Sequence, residues 1–406
     1  MKQKVINDPV HGFISINNDL IYKIIEHPYF QRLRRIKQLG LTDFVYPGAH
    51  HTRFHHAIGA YHLMRKALYT LQSKGVEITD EEALAAQIAI LLHDIGHGPF
   101  SHTLEHTLTE GVSHEYISIR YMEKLNEEFN GALSLAIRIF RNEYPKLFLH
   151  QLVSGQLDVD RLDYLTRDSF FTGVSEGVIN YNRLIDMMDV VDNQMVVEAK
   201  GIYSVEKFLI SRRIMYWQVY LHKTVLCAEE MLIKIISRAQ LLTKRGVAVQ
   251  GTQALNYFLQ KDITKPDFES NPMTLEHFSL LDDIDIFAAV KSWVNHEDKV
   301  LAFLCKSLIN RNLFKIKLQD EVLDEAKIKA LKVTLASKLE MTIEDVEFIV
   351  ISNKITSYLY NPQLDTIKIL EKSGKVLDFG DASDQWSTIA MQKAVTKYYC
   401  CYPNLK

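Results

Sequence analysis

Apolar residues recur at three- and four-residue spacing through residues 20–313, with polar faces between them. This periodicity is typical of amphipathic helices, so it predicts a mainly α-helical body. One helix start is marked by Thr79 and Asp80, which can cap the first turn of an apolar run that continues to His93. Residues 205–242 contain no glycine or proline, and we expect one or two long helices there.

The pattern changes after about residue 318. Short segments rich in β-branched and aromatic residues then follow one another, which favours strands. These segments are residues 348–351, 367–370, 376–379 and 398–402. Ser373 and Gly374 between the second and third segments indicate a hairpin, and a helix is expected near residues 384–395. Earlier in the chain, two prolines among polar residues predict a loop at residues 261–275.

These patterns divide the chain into two parts. Residues 1–318 form the predicted helical bundle, and residues 319–406 form a small α+β subdomain. The sequence has no internal repeat, low-complexity tract or Ser/Gly linker, so we expect the two parts to be packed together. A length of 406 residues is enough for two or three domains or one large one, with a full core.

Composition and charge limit the class of protein and the partners that we expect. With 47% hydrophobic and 24% charged residues, the chain has the make-up of a soluble globular protein. The net charge of −3 argues against nucleic acid or an anionic membrane as a partner. The best apolar stretch, residues 83–92, is too short to span a bilayer, and the N-terminus lacks the apolar run of a signal peptide.

The cysteines support a reducing environment. All four lack metal-ligand spacing, and a disulfide between the adjacent Cys400 and Cys401 would be strained. We therefore expect a reduced, cytoplasmic protein.

The clearest chemical signal is His93-Asp94 at the end of an apolar helix, followed by a Gly-Pro turn. Burying these two polar groups is costly unless something binds both. Imidazole nitrogen with carboxylate oxygen suits a divalent metal such as Mn, Fe, Mg, Zn, Ni or Co. Two ligands are too few, and His56 and Asp160 are the best further candidates on neighbouring helices. Asp160 also shares one helix face with residues four and eight positions later.

Four longer phrases carry a family resemblance. They are residues 31–40, 93–102, 158–168 and 310–315. On these residues the chain resembles the HD-domain phosphohydrolases and, within them, the deoxynucleoside triphosphate triphosphohydrolases. The defining H…HD…D pattern is carried by His56, His93-Asp94 and Asp160. The resemblance covers nearly the whole chain, and it implies a helical HD-domain core that releases a deoxynucleoside and inorganic triphosphate.

The resemblance also implies roles for individual residues. His56, His93, Asp94 and Asp160 would hold one divalent metal. His97, His102 and His114 match the catalytic or phosphate-contacting histidines, and we expect His102 and His114 to transfer protons. The substrate-binding residues would be Gln38, Leu39, Arg53, Arg161, Tyr164 and Asp168. Two positions depart from the family pattern, which usually has Lys at Arg161 and often Glu at His55.

A second implied site concerns regulation. Asn7, Glu26, Gln31 and Arg34 align with the guanine-nucleotide activator site of the mammalian enzyme in this family, where Glu26 could accept hydrogen bonds from guanine N1 and N2. This alignment implies a nucleotide activator, and the family tends to form dimers or tetramers. The alternative interpretation of Glu26, Gln31 and Arg34 is an ordinary solvated helix face.

Other functions stay open from sequence alone. The same metal could serve hydrolysis of another nucleotide or of a single-stranded nucleic-acid end. A nucleotide-sensing protein with little turnover is a third possibility. Asp163 could pair with an arginine instead of serving the site, and Tyr220, in a segment more typical of core, could face a base pocket.

Overall fold

The computed structural model describes residues 4–357, 366–383 and 395–404. Helices dominate the chain from residue 19 to residue 309, so the predicted α-helical class is confirmed. The expected helix at residues 384–395 falls on positions outside the described residues, except that residue 395 already belongs to a strand.

The helices before residue 190 surround the residues of interest. They are α1 (Asp19–Glu26), α2 (Pro28–Gln31), α3 (Arg53–Ser73), α4 (Asp80–Leu92), α5 (Glu105–Leu108), α6 (His114–Glu128), α7 (Ser134–Phe140), α8 (Leu147–Val153), α9 (Val159–Thr172) and α10 (Tyr181–Asp186). Helix α3 packs against both α4 and α9. These three helices form the centre of the bundle.

The later helices close the bundle and extend beyond it. They are α11 (Ile202–Met215), α12 (Lys223–Lys244), α13 (Gln253–Gln260), α14 (Lys265–Ser270), α15 (Pro272–Leu280), α16 (Asp283–Ser292), α17 (Lys299–Ile309), α18 (Glu325–Leu339), α19 (Ile343–Val346) and α20 (Phe379–Ala382). None of the helices in the described part of the chain is both long and apolar enough to cross a bilayer.

Helix α4 begins as its sequence predicts. The Glu82 amide donates to Thr79 Oγ1 (3.2 Å), and the Thr79 amide donates to Glu82 Oε2 (2.8 Å), which completes a capping box. The helix is buried on nearly every side in its second half, as its alanine- and leucine-rich sequence requires. It ends at Leu92 with His93 as the C-cap. The apolar run therefore delivers His93 and Asp94 to the centre of the bundle.

Two segments of the helical body, residues 205–242 and 261–275, can be compared with their predictions. Residues 205–242 form two helices, α11 and α12, joined by a π-helical turn at Tyr216–Tyr220. The loop predicted at residues 261–275 is wrong, because these residues contain α14 and the start of α15. The prolines occupy the first turns of these helices, where a missing amide costs no hydrogen bond.

Nine strands form three small sheets in the described residues. They are β1 (Lys4–Asp8), β2 (Gly12–Ile16), β3 (Met188–Val191), β4 (Gln194–Glu198), β5 (Lys315–Gln319), β6 (Ile351–Ser357), β7 (Lys368–Leu370), β8 (Val376–Asp378) and β9 (Val395–Tyr402). The predicted hairpin at Ser373-Gly374 joins β7 to β8. The first predicted strand is displaced, since β6 begins only at Ile351.

The strands near the C-terminus pair with strands from the body of the chain. β7 lies parallel to β4, with Val197 opposite Ile369, and β9 lies between β5 and β6. The hairpins β1–β2 and β3–β4 were not anticipated from the helical pattern. Ile369 and Tyr399 are buried in the same apolar core as the bundle.

Candidate active site

The four predicted metal ligands converge at the centre of the bundle. His56 lies in the first turn of α3, His93 and Asp94 follow α4, and Asp160 lies in the first turn of α9. His56 Nε2 is 3.0 Å from Asp160 Oδ1 and 3.8 Å from Asp94 Oδ2. His93 Nε2 is 3.3 Å from Asp94 Oδ1 and 3.4 Å from Asp160 Oδ1. Three helix ends therefore bring two imidazoles and two carboxylates to one point.

The outer nitrogens of the two rings show that this point suits a cation. His93 Nδ1 donates to the Ile90 carbonyl (2.6 Å), and His56 Nδ1 donates to Asp163 Oδ2 (2.8 Å). With the proton on Nδ1, each neutral ring turns an Nε2 lone pair inward, and the two Nε2 atoms face each other at 3.4 Å. A divalent cation bound by both nitrogens and both carboxylates satisfies this donor set.

His56, His93, Asp94 and Asp160 form a quartet, and the charges around it also favour a cation at this point. Burial lowers the pKa of His56, but hydrogen bonds with Asp160 and Asp163 outweigh it and raise the value to about 10. Burial likewise raises the pKa of Asp94, yet His93 and Arg53 hold it well below its usual range. In the absence of a metal, the carboxylates thus favour a positive charge on the imidazoles. This is the environment in which a cation replaces protons.

A buried network fixes His56 from behind. Asp163 accepts from His56 Nδ1 and from His11 Nε2 (2.6 Å), and both of its oxygens accept from the Arg167 guanidinium. Arg167 also donates to Asp8 at the end of β1. Burial raises the pKa of Asp163, but the nearby charge of Arg167 is the largest of the influences that outweigh burial and bring this pKa well below the usual range. Asp163 therefore pairs with an arginine and also orients His56.

The network depends on Gly59. A Cβ at this position of α3 would lie 2.0 Å from Asp163 Oδ1 and 2.2 Å from Arg167 Nη2. The glycine thus lets α3 and α9 approach closely enough for His56 to reach Asp163. Sequence reasoning missed His11 as part of this network, although its place in the phrase Asp8-Pro9-Val10-His11 was a visible signal.

Three further histidines, His97, His102 and His114, lie beside the quartet. The rings of His97 and His114 stack with centroids 3.8 Å apart, and both stand edge-on to His102. Glu105 accepts from Nδ1 of His102 (3.1 Å) and from Nδ1 of His114 (2.8 Å). This leaves Nε2 of His102 and Nε2 of His114 available to a ligand. Glu105 was not predicted, although it stands three residues after His102.

His97 and Glu105 differ sharply in charge. Burial first and Arg53 second hold the pKa of His97 well below its usual range, so its ring is neutral. Its Nε2 lies 3.4 Å from Asp94 Oδ1, and its Nδ1 lacks a partner within the described part of the chain. Burial raises the pKa of Glu105, but hydrogen bonds from His102 and His114 lower it far more. Glu105 is a carboxylate that holds two imidazoles.

A cavity of about 570 Å³ opens onto these residues. Its basic wall includes Arg53, which donates from Nε to Ser101 Oγ (2.7 Å) and from Nη1 to Asp94 Oδ2. Arg161 donates from Nε to the Gly155 carbonyl (2.7 Å). Both guanidinium groups line the cavity next to the quartet, where an anion would sit.

The wall also carries the remaining predicted substrate residues. Gln38, Leu39, Tyr164 and Asp168 all line the cavity. Asp168 accepts from His51 Nε2 (2.7 Å) and from Tyr220 Oη (2.8 Å), so both of its oxygens are occupied and Tyr220 is fixed in the wall. Gln38 Oε1 is buried and has no hydrogen-bond partner among the described residues. It is therefore open to a donor from a ligand.

Only two of the four residues of the expected activator site, all of which lie in the described part of the chain, are hydrogen-bonded to each other. Arg34 donates to Gln31 Oε1 (2.8 Å) and its guanidinium lies 3.5 Å from the centre of the Phe54 ring. Asn7 and Glu26 are exposed on separate elements, β1 and α1. The structure thus brings Gln31 and Arg34 together on one surface.

His55 and the cysteines have structural positions. His55 Nδ1 accepts from the Thr52 amide (3.1 Å) and so caps α3. Burial lowers the pKa of this ring. The four cysteines, Cys227, Cys305, Cys400 and Cys401, are all free and buried.

Comparisons with known proteins agree with this geometry. A model of the HD domain matches residues 53–168, which contain the whole quartet, and a model of the HD associated region matches residues 179–250. A solved phosphohydrolase from Bacteroides thetaiotaomicron is 53% identical with a TM-score of 0.96, over 99% of this chain and 100% of that one. The chain belongs to the HD-domain phosphohydrolase family.

Two curated proteins are similar to this chain in sequence. The uncharacterized protein YwfO of Bacillus subtilis is 36% identical over 318 residues, which cover 77% of this chain and 71% of that protein. The deoxynucleoside triphosphate triphosphohydrolase SAMHD1 homolog of Dictyostelium discoideum is 34% identical over 260 residues, 59% of this chain and 50% of that protein. The protein is an HD-superfamily phosphohydrolase, as the sequence phrases indicated.

Proposed function

We propose that the protein hydrolyses deoxynucleoside triphosphates to a deoxynucleoside and inorganic triphosphate. The observation that carries this proposal is the cavity itself, whose wall combines Asp94 and Asp160 of the quartet and two guanidinium groups with Gln38, Leu39 and Tyr164. Anionic phosphates fit the first group and an uncharged sugar fits the second. The relatives named as deoxynucleoside triphosphate triphosphohydrolases support the same substrate class.

The quartet of His56, His93, Asp94 and Asp160 is proposed to hold one divalent metal. Such a metal supplies an acidified water and neutralises charge on a phosphoryl oxygen. Arg53 is hydrogen-bonded to Asp94 and lines the cavity, so it can bind a phosphate oxygen while it keeps the carboxylate in place. Arg161, beside Asp160, can bind a second oxygen of the same chain of phosphates.

The histidines are proposed to move the protons. A water oxygen forms a bond to the α-phosphorus while the bond to the sugar 5′-oxygen breaks, so one proton leaves the water and one reaches the 5′-oxygen. His102 and His114 offer Nε2 to the cavity and hold Nδ1 against Glu105. A carboxylate behind an imidazole fixes its tautomer and stabilises its protonated form. His97, neutral and next to Asp94, is positioned to bind a phosphate.

The regulatory part of the proposal is separate. Gln31 and Arg34 form a paired polar surface over Phe54, where a nucleotide activator could bind together with Asn7 and Glu26. A dimer or tetramer is the expected form of such an enzyme. Turnover measured with and without GTP at matched magnesium tests this part, and an R34A variant with unchanged activation would contradict it.

The main experiment is product analysis. Each dNTP is incubated with the protein and with Mn, Mg, Fe or Co, and inorganic triphosphate is separated from pyrophosphate and phosphate. We expect triphosphate and deoxynucleoside in equal amounts, and their loss in an H93A/D94A double variant. Release of monophosphate and pyrophosphate instead would show another phosphohydrolase reaction. Absence of turnover with every dNTP would reject the proposal.

A further inference from the structure

One acidic side chain in the cavity wall is unused by the proposed reaction. Glu229 lies on α12, is half-buried and lines the cavity. It is hydrogen-bonded to the side chain of Thr103, which follows His102 in the chain. The neighbouring wall is the segment from Gln38 to Thr42, where a Cβ on Gly40 would stand 3.5 Å from Glu229 Oε1. The carboxyl therefore faces a compact stretch of wall with polar and apolar members.

This stretch is unsuited to phosphate. The basic residues that line the cavity in the described chain are Arg53 and Arg161, and both are held next to the quartet. Around Glu229 the wall is formed instead by Leu39, Leu226 and Ile233, with a second acid, Glu230. Two carboxyl groups without a nearby cation repel a polyanion. An uncharged ring with hydrogen-bond donors on its edge is the complementary ligand.

Of these two acids, Glu229 keeps lone pairs for a ligand, since the one hydrogen bond from Thr103 occupies only part of its carboxyl group. Tyr399 Oη donates to Glu230 Oε1, which ties Glu230 to β9. Gln38 Oε1, in the same stretch of wall, is buried and has no partner within the described residues. The wall thus offers two acceptors to a ligand, one from an amide and one from a carboxyl group.

We propose that Glu229 recognises the hydrogen-bonding edge of the nucleobase and makes guanine the preferred base. The inference rests on the proposed function, because it takes the cavity to hold a deoxynucleotide whose phosphates lie at the quartet. Guanine alone among the common bases presents two adjacent donors, N1–H and the 2-amino group. An ionised carboxylate accepts both, since each oxygen has free lone pairs. Thymine, cytosine and adenine offer at most one such donor beside an acceptor.

The titration of Glu229 makes the preference depend on pH. Burial raises the pKa of Glu229 to about 7, against a lowering by the Thr103 hydrogen bond, and the charge of Glu230 adds to the rise. The carboxylate is therefore present above pH 7. Below that value the acid form is both donor and acceptor, and it pairs with any of the bases. Selectivity for guanine should grow between pH 6 and pH 8.

The test compares dGTP with dITP, which differ only in the 2-amino group. At pH 8 we expect kcat/KM for dGTP to exceed that for dITP about tenfold or more, mainly through KM, because dITP still donates N1–H but leaves the second oxygen of the charged acceptor unpaired beneath the base. The ratio should fall towards one at pH 6. In E229Q the ratio should stay near one at both values, since a glutamine cannot ionise. A ratio that E229Q leaves unchanged overturns the inference.

E230Q is the matched control. It removes an equal charge from the neighbouring position of the same helix, but its carboxylate is already bonded to Tyr399. We expect E230Q to keep the wild-type ratio of dGTP to dITP. If E230Q lowered the ratio as much as E229Q, the effect would be one of general charge, and Glu229 would not be the recognising group.

A binding measurement separates this inference from the proposed function. Calorimetry with deoxyguanosine and deoxyinosine probes the base site without phosphates or turnover, and the wild-type comparison needs no variant. We expect tighter binding of deoxyguanosine at pH 8, and equal affinities overturn the inference. If triphosphate release is absent while deoxyguanosine is still preferred, the proposed reaction fails and the base site stands. If triphosphate is released while the two nucleosides bind equally, the proposed reaction stands and the base site fails.

Discussion

At the scale of single residues, the geometry of the quartet is controlled from one step further out. His56 reaches its inward orientation because Asp163 holds its other nitrogen, and Asp163 is itself held by Arg167 and His11. Glu105 does the same for His102 and His114. In both cases a carboxylate bonded to the outer nitrogen sets the tautomer of an imidazole at the site.

Replacing Asp163 by asparagine should weaken metal binding. The amide is a poorer acceptor for His56 Nδ1 and leaves Arg167 without half of its buried charge partners. Loss of such an outer partner typically costs 10- to 100-fold in metal affinity, and we expect a loss in that range by titration with Mn under chelator competition. D168N on the same helix is the control, because Asp168 bonds to His51 and Tyr220 instead. Metal affinity that falls equally in both variants would contradict the assignment.

Replacing Glu105 by glutamine should slow the chemical step. The two imidazoles lose the carboxylate that fixes their tautomers, so we expect kcat to fall roughly 10²- to 10⁴-fold with little change in KM. Steady-state kinetics of triphosphate release over a range of pH measures this. E110Q, on an exposed position nearby, should leave kcat unaltered. A large rise in KM with unchanged kcat would assign Glu105 to binding.

At the scale of elements, the site is made where helices end and approach one another. The capping box of α4 and the capped start of α3 place polar residues at termini, where unpaired backbone groups already call for polar partners. The close contact of α3 with α9 then depends on a position without a side chain, Gly59. The π-helical turn before α12 places Tyr220 against Asp168.

A G59A variant should therefore separate α3 from α9. The added methyl group would overlap Asp163 and Arg167, which are both fully buried and cannot move away cheaply. We expect a loss of about 1–3 kcal/mol in the free energy of unfolding, together with weaker metal binding, measured by denaturant melts and titration. G251A, where the nearest atoms belong to the side chains of Leu255 and Asn256 and lie at 3.0 Å or more, is the milder comparison. Equal stability of G59A and the wild type would show that the helices tolerate a side chain there.

At the scale of the whole molecule, the cavity joins residues that are as far apart in the chain as Gln38 and Ile233. One core runs from the bundle into the small sheets, where β7 pairs with β4 and β9 pairs with β5. Binding at the quartet links three separate helices, so it should stabilise the fold as a unit.

Metal removal should lower the melting temperature. A metal present at 100 times its dissociation constant stabilises the folded state by about 2.7 kcal/mol, and we expect a drop of several degrees on chelation. The effect should weaken as pH falls, because the pKa of His56, raised to about 10 without metal, makes protons compete with the cation. Calorimetric melts with and without chelator at pH 6 and pH 8 measure both effects. A D160A variant should show almost no chelator effect, and a shift as large as that of the wild type would place the metal elsewhere.

The sequence by itself determined the helical class and the capped start of α4, because periodicity and caps are local signals. It also identified the four residues that the fold brings together as the quartet, through a buried His-Asp pair and the family phrases. The π turn, the helices at residues 261–275 and the partners of β4 and β5 were decided by tertiary packing, which outweighs short-range preference. The partners of the carboxyl groups of Asp163, Glu105 and Glu229 were also decided by the tertiary structure. Each of these groups is defined by the side chain that faces it across the fold, and the sequence alone does not show that contact.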